Sequence, residues 1–116
     1  MNSARVTFIA GLALLGSFSC SSGRRDAPLT GPLDVSDERV ATGQRVFARH
    51  CYECHPGGAA GLGPAINNKP LPGALIKTQV REGLGAMPAF DAGHISDADL
   101  EKLVAYLQAL RKHTAG

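Results

Sequence analysis

Tryptophan is absent from this 116-residue chain, and aromatic residues of all kinds make up only 5% of it. Charge of either sign is scarce too: 12 basic residues against 10 acidic ones leave a formal net charge of +2. A nucleic-acid binder needs a clustered basic face, often studded with aromatic rings. The arginines here are spread along the chain, so no nucleic-acid partner is expected. No run alternates apolar and polar residues in the way a half-buried strand does, which argues against a sheet. No apolar run reaches the roughly 20 residues that cross a bilayer. No internal repeat is present. Length allows one domain at most.

The longest apolar run lies at the start. Arg5 precedes "VTFIAGLALLGSF" (Val6 to Phe18), which falls within the ~7–15 residues usual for the core of an export signal. Residues 1–19 therefore read as a signal peptide. The run ends in "GSFSCSS", with Cys20 where a bacterial lipobox places its lipidated cysteine, although Ser17 stands where a leucine is usual. Acylation of Cys20 would make a lipoprotein anchored on the periplasmic side of a bacterial membrane. A plain cut nearby would instead leave an unpaired thiol in an oxidising space. Residues 20–35, "CSSGRRDAPLTGPLDV", mix small, charged and proline residues without apolar periodicity and read as a flexible linker.

Residues 36–116 form the expected folded domain, all-α with three main helices and long loops. Ser36 is a suitable N-cap for the first helix, with Asp37 and Glu38 in its first turn. Val40, Gly43 and Phe47 share one face of it and lead to Cys51. A weaker helix is expected from about Ala74 to Glu82, stopped by Gly83. The last, "SDADLEKLVAYLQALRK", opens with Ser96 and Asp99 in capping-box spacing, and Leu100, Leu103, Val104, Leu107 and Leu110 follow at helical spacing. So small a helical core commonly needs a disulfide, metal or prosthetic group to hold it.

That need directs attention to "CYECH", Cys51 to His55. Structural zinc wants four ligands, and beyond this motif the chain offers only His50, His94, His113 and the distant Cys20. A redox dithiol wants a strand–helix setting, and a plain disulfide would leave His55 without a role. The remaining reading is covalent haem c, for which Cys-x-x-Cys-His is the attachment signal. Cys51 and Cys54 would add to the two vinyl groups, and His55 would bind iron. Haem c is attached outside the cytoplasmic membrane, in keeping with an export signal. Apart from the initiator, Met87 is the only methionine. It lies in the Gly-rich "GLGAMPAF" just before the last helix and is the expected second axial ligand. His94 is its rival, placed near the start of that helix as a solvated residue.

With these motifs in place, the chain resembles the small single-haem class I cytochromes c of bacteria from Ser36 to Leu110. "CYECH" matches the haem motif and "VREGLGAMPAF" resembles the methionine-ligand loop. Gly43 and Phe47 match the first helix, and Leu103 and Tyr106 match the last, where the two cross over the glycine. "GPAI" (Gly63 to Ile66) resembles the Gly-Pro that follows the haem motif. The resemblance implies a cytochrome c fold around one covalent haem. It also implies that the Pro64 carbonyl accepts a hydrogen bond from Nδ1 of His55. The chain lacks the family's haem-shielding tryptophan, and Arg81, Asn67 and Asn68 are the candidates to meet the propionates.

The expected function is electron transfer between an unidentified donor and acceptor protein, with the chain an electron carrier rather than an enzyme. Leu62, Ile66, Leu75, Val80, Phe90, Leu100, Leu103 and Leu107 are the expected apolar pocket, and His50 a surface bystander. Two other readings stand beside it: an open-iron sensor or peroxidase-like protein with a displaceable methionine, and the haem subunit of a larger oxidoreductase. Met87 at the iron would favour electron transfer, because a thioether ligand raises the reduction potential.

Overall fold

A computed structural model describes residues 32–115. The expected signal peptide, Cys20 and most of the linker lie outside these described residues. Three helices follow in order: α1 (Glu38–His50), α2 (Gly73–Glu82) and α3 (Asp97–Ala115). Among the described residues there is no named strand, only one isolated antiparallel bridge between Leu84 and Met87. Also among them, no helix is long and apolar enough to cross a membrane.

The start of α1 departs from expectation by one residue. Asp37, not Ser36, is the N-cap, and its carboxylate accepts the Arg39 amide at 2.8 Å. Ser36 turns to Asp34 instead: its amide donates to that carboxylate at 2.9 Å and its hydroxyl bonds it as well. Both residue types cap well, so the neighbouring acid decides between them. In α3 the Ser96 hydroxyl accepts the Asp99 amide at 3.1 Å, the cap its spacing predicts. That helix runs three residues past Lys112. Helix α2 begins at Gly73 and ends against Gly83, whose φ of +69° turns the chain out of the helix.

The inward face of α1 is the expected one, with Val40, Gly43 and Phe47 buried. It packs mainly on α3, while α2 makes a smaller contact with the same helix. Gly43 allows that approach: a Cβ there would run into the Lys102 carbonyl and lie 2.8 Å from Cβ of Tyr106. Beside it the Phe47 and Tyr106 rings pack at a tilt, centroids 5.2 Å apart. Val80, Ile95, Leu100, Leu103 and Leu110 complete the cluster. The core is thus the α1–α3 crossing with α2 laid against it, and both long loops hang from its edge.

Candidate functional site

The cysteine motif begins where α1 stops. Cys51 and Tyr52 both return their amides to the Phe47 carbonyl, at 2.9 and 3.0 Å. A further turn follows, in which Cys54 and His55 bond back to the Cys51 carbonyl at 3.2 and 2.9 Å. Residues three apart in such a turn share a face, which suits two thiols meant for one flat partner. The thiols are not joined in a disulfide. Burial, aided by the charge Cys54 would carry, pushes Cys51 up to about 11.

His55 is buried at 8% exposure. Its Nδ1 lies 2.8 Å from the Pro64 carbonyl oxygen. A carbonyl can only accept, so Nδ1 carries the proton and Nε2 keeps its lone pair for a metal. The loop is built to deliver this oxygen. The Gly63 amide donates to the Cys54 carbonyl at 2.9 Å, folding the chain back over the motif. A Cβ on Gly63 would strike the imidazole, lying within 2.9 Å of both ring nitrogens.

Met87 arrives from the segment between α2 and α3. Leu84 and Met87 exchange backbone hydrogen bonds of 3.1 and 2.9 Å, and the Phe90 amide then donates to the Val80 carbonyl at 2.9 Å. Met87 is half-buried against the core cluster. The Gln79 side-chain amide stands 3.7 Å from its sulfur, within hydrogen-bonding reach. Sequence reasoning passed over Gln79: a glutamine in a helix carries no sign of what the tertiary fold sets opposite it. Facing a sulfur ligand, its amide would help to orient the thioether.

Of the residues expected to line the haem pocket, Leu62 and Leu75 are 87% and 54% exposed and pack on no protein core, and Leu84 of the methionine segment is 74% exposed. Val80, Leu100 and Leu103 are buried, and Ile66, Phe90 and Leu107 pack on the same cluster. His50 is no bystander, since its ring meets Phe90 edge-on with centroids 5.8 Å apart. His94 is exposed, as expected, with Nδ1 2.8 Å from Asp91, whose carboxyl is held below its usual value mainly by that contact. Arg81 gives its donors to the protein: the carbonyls of Phe90 and Ile95 and the Asp97 carboxylate. Asn67, another of the propionate candidates, is buried.

These residues fit haem c. Two thiols in one turn and a buried imidazole with Nδ1 already engaged suit it, and a thioether on a separate loop would complete the donor set. Exposed leucines beside them offer apolar surface that a porphyrin would cover. Zinc fits poorly, because among the described residues no three His, Cys, Asp or Glu side chains converge.

An all-α fold with this motif and this histidine defines a small class I cytochrome c. Residues 38–107 match the family described as cytochrome C oxidase, cbb3-type, subunit III. The match covers more than half of the chain, and the chain belongs to that family; its cofactor is covalently bound haem c. It is 36% identical over 75 residues to the 4-cresol dehydrogenase [hydroxylating] cytochrome c subunit of Pseudomonas putida, covering 65% of this chain and 66% of that one. Cytochrome c6 of Synechocystis sp. is 36% identical over 77 residues, covering 59% and 62%. Cytochrome c6 of Cladophora glomerata is 37% identical over 83 residues, covering 63% and 90%. The chain thus spans slightly under two thirds of the length of the first two of these relatives.

Proposed function

We propose that this chain is an exported one-electron carrier whose haem iron is held between His55 and Met87. When bound, haem c supplies the Fe(II)/Fe(III) couple. The rest is the work of the chain's own residues. Cys51 and Cys54 tether the porphyrin and do no redox chemistry of their own. The observation that carries the reading is the buried His55 ring, fixed by Pro64 with Nε2 left as the donor. A preset imidazole and a loop-borne thioether need not rearrange when an electron arrives, which keeps transfer fast. The thioether and the apolar surroundings both raise the potential.

The signal sequence at residues 1–19 would take the protein to the periplasmic side of a bacterial membrane, and acylation of Cys20 would hold it there. Residues 20–35 would then let the domain of residues 36–116 reach its redox partners. A second reading is favoured by the relative in Pseudomonas putida, named as the cytochrome subunit of a dehydrogenase. By analogy the chain would accept electrons as the haem subunit of a larger oxidoreductase, with the same ligands.

The test is the ferric absorption spectrum of the holoprotein beside that of Met87→Ala. Wild type should show the weak long-wavelength charge-transfer band of thioether ligation and bind carbon monoxide only weakly when reduced. The variant should lose the band and bind the gas. If the two proteins match in both respects, Met87 is not the ligand. Mass spectrometry of membrane-extracted protein reports haem and any acyl chains on Cys20 together.

A further inference from the structure

The segment from Gly83 to Ser96 must keep Met87 in place, yet it contains no helix and only the Leu84–Met87 bridge. Its near limb is held through that bridge. Its far limb, Pro88 to Ser96, has one backbone bond to α2, from the Phe90 amide to the Val80 carbonyl. The Phe90 ring also rests on His50 and Ile95 is buried in the core, and Arg81 supplies the side-chain hydrogen bonds that tie the limb to α2. Nη1 donates to the Phe90 carbonyl at 2.9 Å and to the Ile95 carbonyl at 2.8 Å. Nη2 reaches the Asp97 carboxylate at 2.6 Å. One guanidinium therefore joins α2, the stretch just after Met87, the buried Ile95 and the first residue of α3.

We propose that Arg81 is a positioning residue for the axial methionine, a clasp that closes the base of its loop. The proposal rests on Met87 being the iron ligand. Phe90 lies three residues from Met87, and its carbonyl accepts from Arg81. Loss of the clasp would free the far limb to swing and carry the thioether off the iron. The Arg81 side chain is only 21% exposed, so its carbonyl bonds are shielded from water, whereas the Asp97 side chain is 90% exposed. An ion pair that open contributes little. The two carbonyl bonds are the working part of the clasp. Lysine carries the charge but lacks the planar fork that spans separate acceptors.

The experiment compares holoprotein of wild type, Arg81→Met, Arg81→Lys and Asp97→Asn. The readouts are carbon monoxide affinity of the reduced form and the temperature at which the thioether charge-transfer band disappears, set against helix melting by circular dichroism. Arg81→Met should bind the gas about tenfold more tightly, the order expected from losing one or two charge-assisted hydrogen bonds. Its band should vanish well below the helix melt. Arg81→Lys should fall between it and wild type, and Asp97→Asn should stay within about twofold of wild type. Should Arg81→Met fail to fold, the lysine variant decides the matter. If affinity stays at the wild-type level and band and helix melt together in every folded Arg81 variant, Arg81 is a stability contact only and the proposal is wrong. A wild-type protein without the band, matched by Met87→Ala, would instead overturn the ligand assignment beneath it.

Discussion

Gly63 is glycine because the imidazole of His55 occupies the place a side chain would take. Two constraints meet there: the ring must approach the backbone, and the next carbonyl must stay on Nδ1. Gly63→Ala would push the ring away and stretch the 2.8 Å bond to Pro64. The variant should lose roughly 1–3 kcal/mol of holoprotein stability, the usual cost of overpacking. A shift in reduction potential should accompany it, since the partner of a ligating histidine tunes its basicity. A denaturant titration read beside a redox titration would check both, and a shift in stability alone would mean that ring orientation does not depend on Gly63. At this scale Cys51, Cys54 and His55 were legible as a haem c motif, and Met87 drew attention as the one methionine beyond the initiator, because each carries chemistry in its own side chain. The contacts of Gln79 and Arg81 were not, because they belong to their neighbours. A sulfur 3.7 Å away and two loop carbonyls leave no trace in local sequence.

The helices were legible for a different reason. Apolar spacing specifies a buried face, and Val40, Gly43 and Phe47 form that face in α1 as the spacing predicts. Ends were less so: Ser36 and Asp37 are both good caps, and only the hydrogen bonds that Ser36 makes to Asp34 settle which is used. The crossing at Gly43 has the least tolerance of any contact between the helices. Alanine there meets a backbone carbonyl rather than a flexible side chain. Gly43→Ala should therefore cost about 3 kcal/mol, the upper end for overpacking, while leaving the iron ligands untouched. Thermal unfolding should move sharply while the visible spectrum at low temperature stays as in wild type. A spectrum that changes with stability intact would place the strain at the haem instead of the crossing.

For the whole molecule, the apolar residues expected at the pocket divide in two, and sequence alone cannot tell a side chain that packs on protein from one meant for porphyrin. Val80, Leu100 and Leu103 are buried in protein, whereas Leu62 and Leu75 are exposed. Their exposure, with that of Leu84, makes the protein core smaller than the count of apolar residues suggests. A domain of this size then depends on its prosthetic group. Haem-free protein should lose most of its far-ultraviolet helical signal, and full native helix in that state would show that the α1–α3 cluster stands unaided.

The same crossing also orders events in time. Gly43 and Tyr106 meet across roughly 60 residues of chain, and closing so long a loop costs about 4 kcal/mol of entropy before any contact repays it. Contacts this distant slow folding. Until they form, Cys51 lacks the core cluster it packs against in the finished fold. Slow topology thus leaves the attachment turn reachable while the chain is still open, and the first helix and the last meet over it once haem is in place.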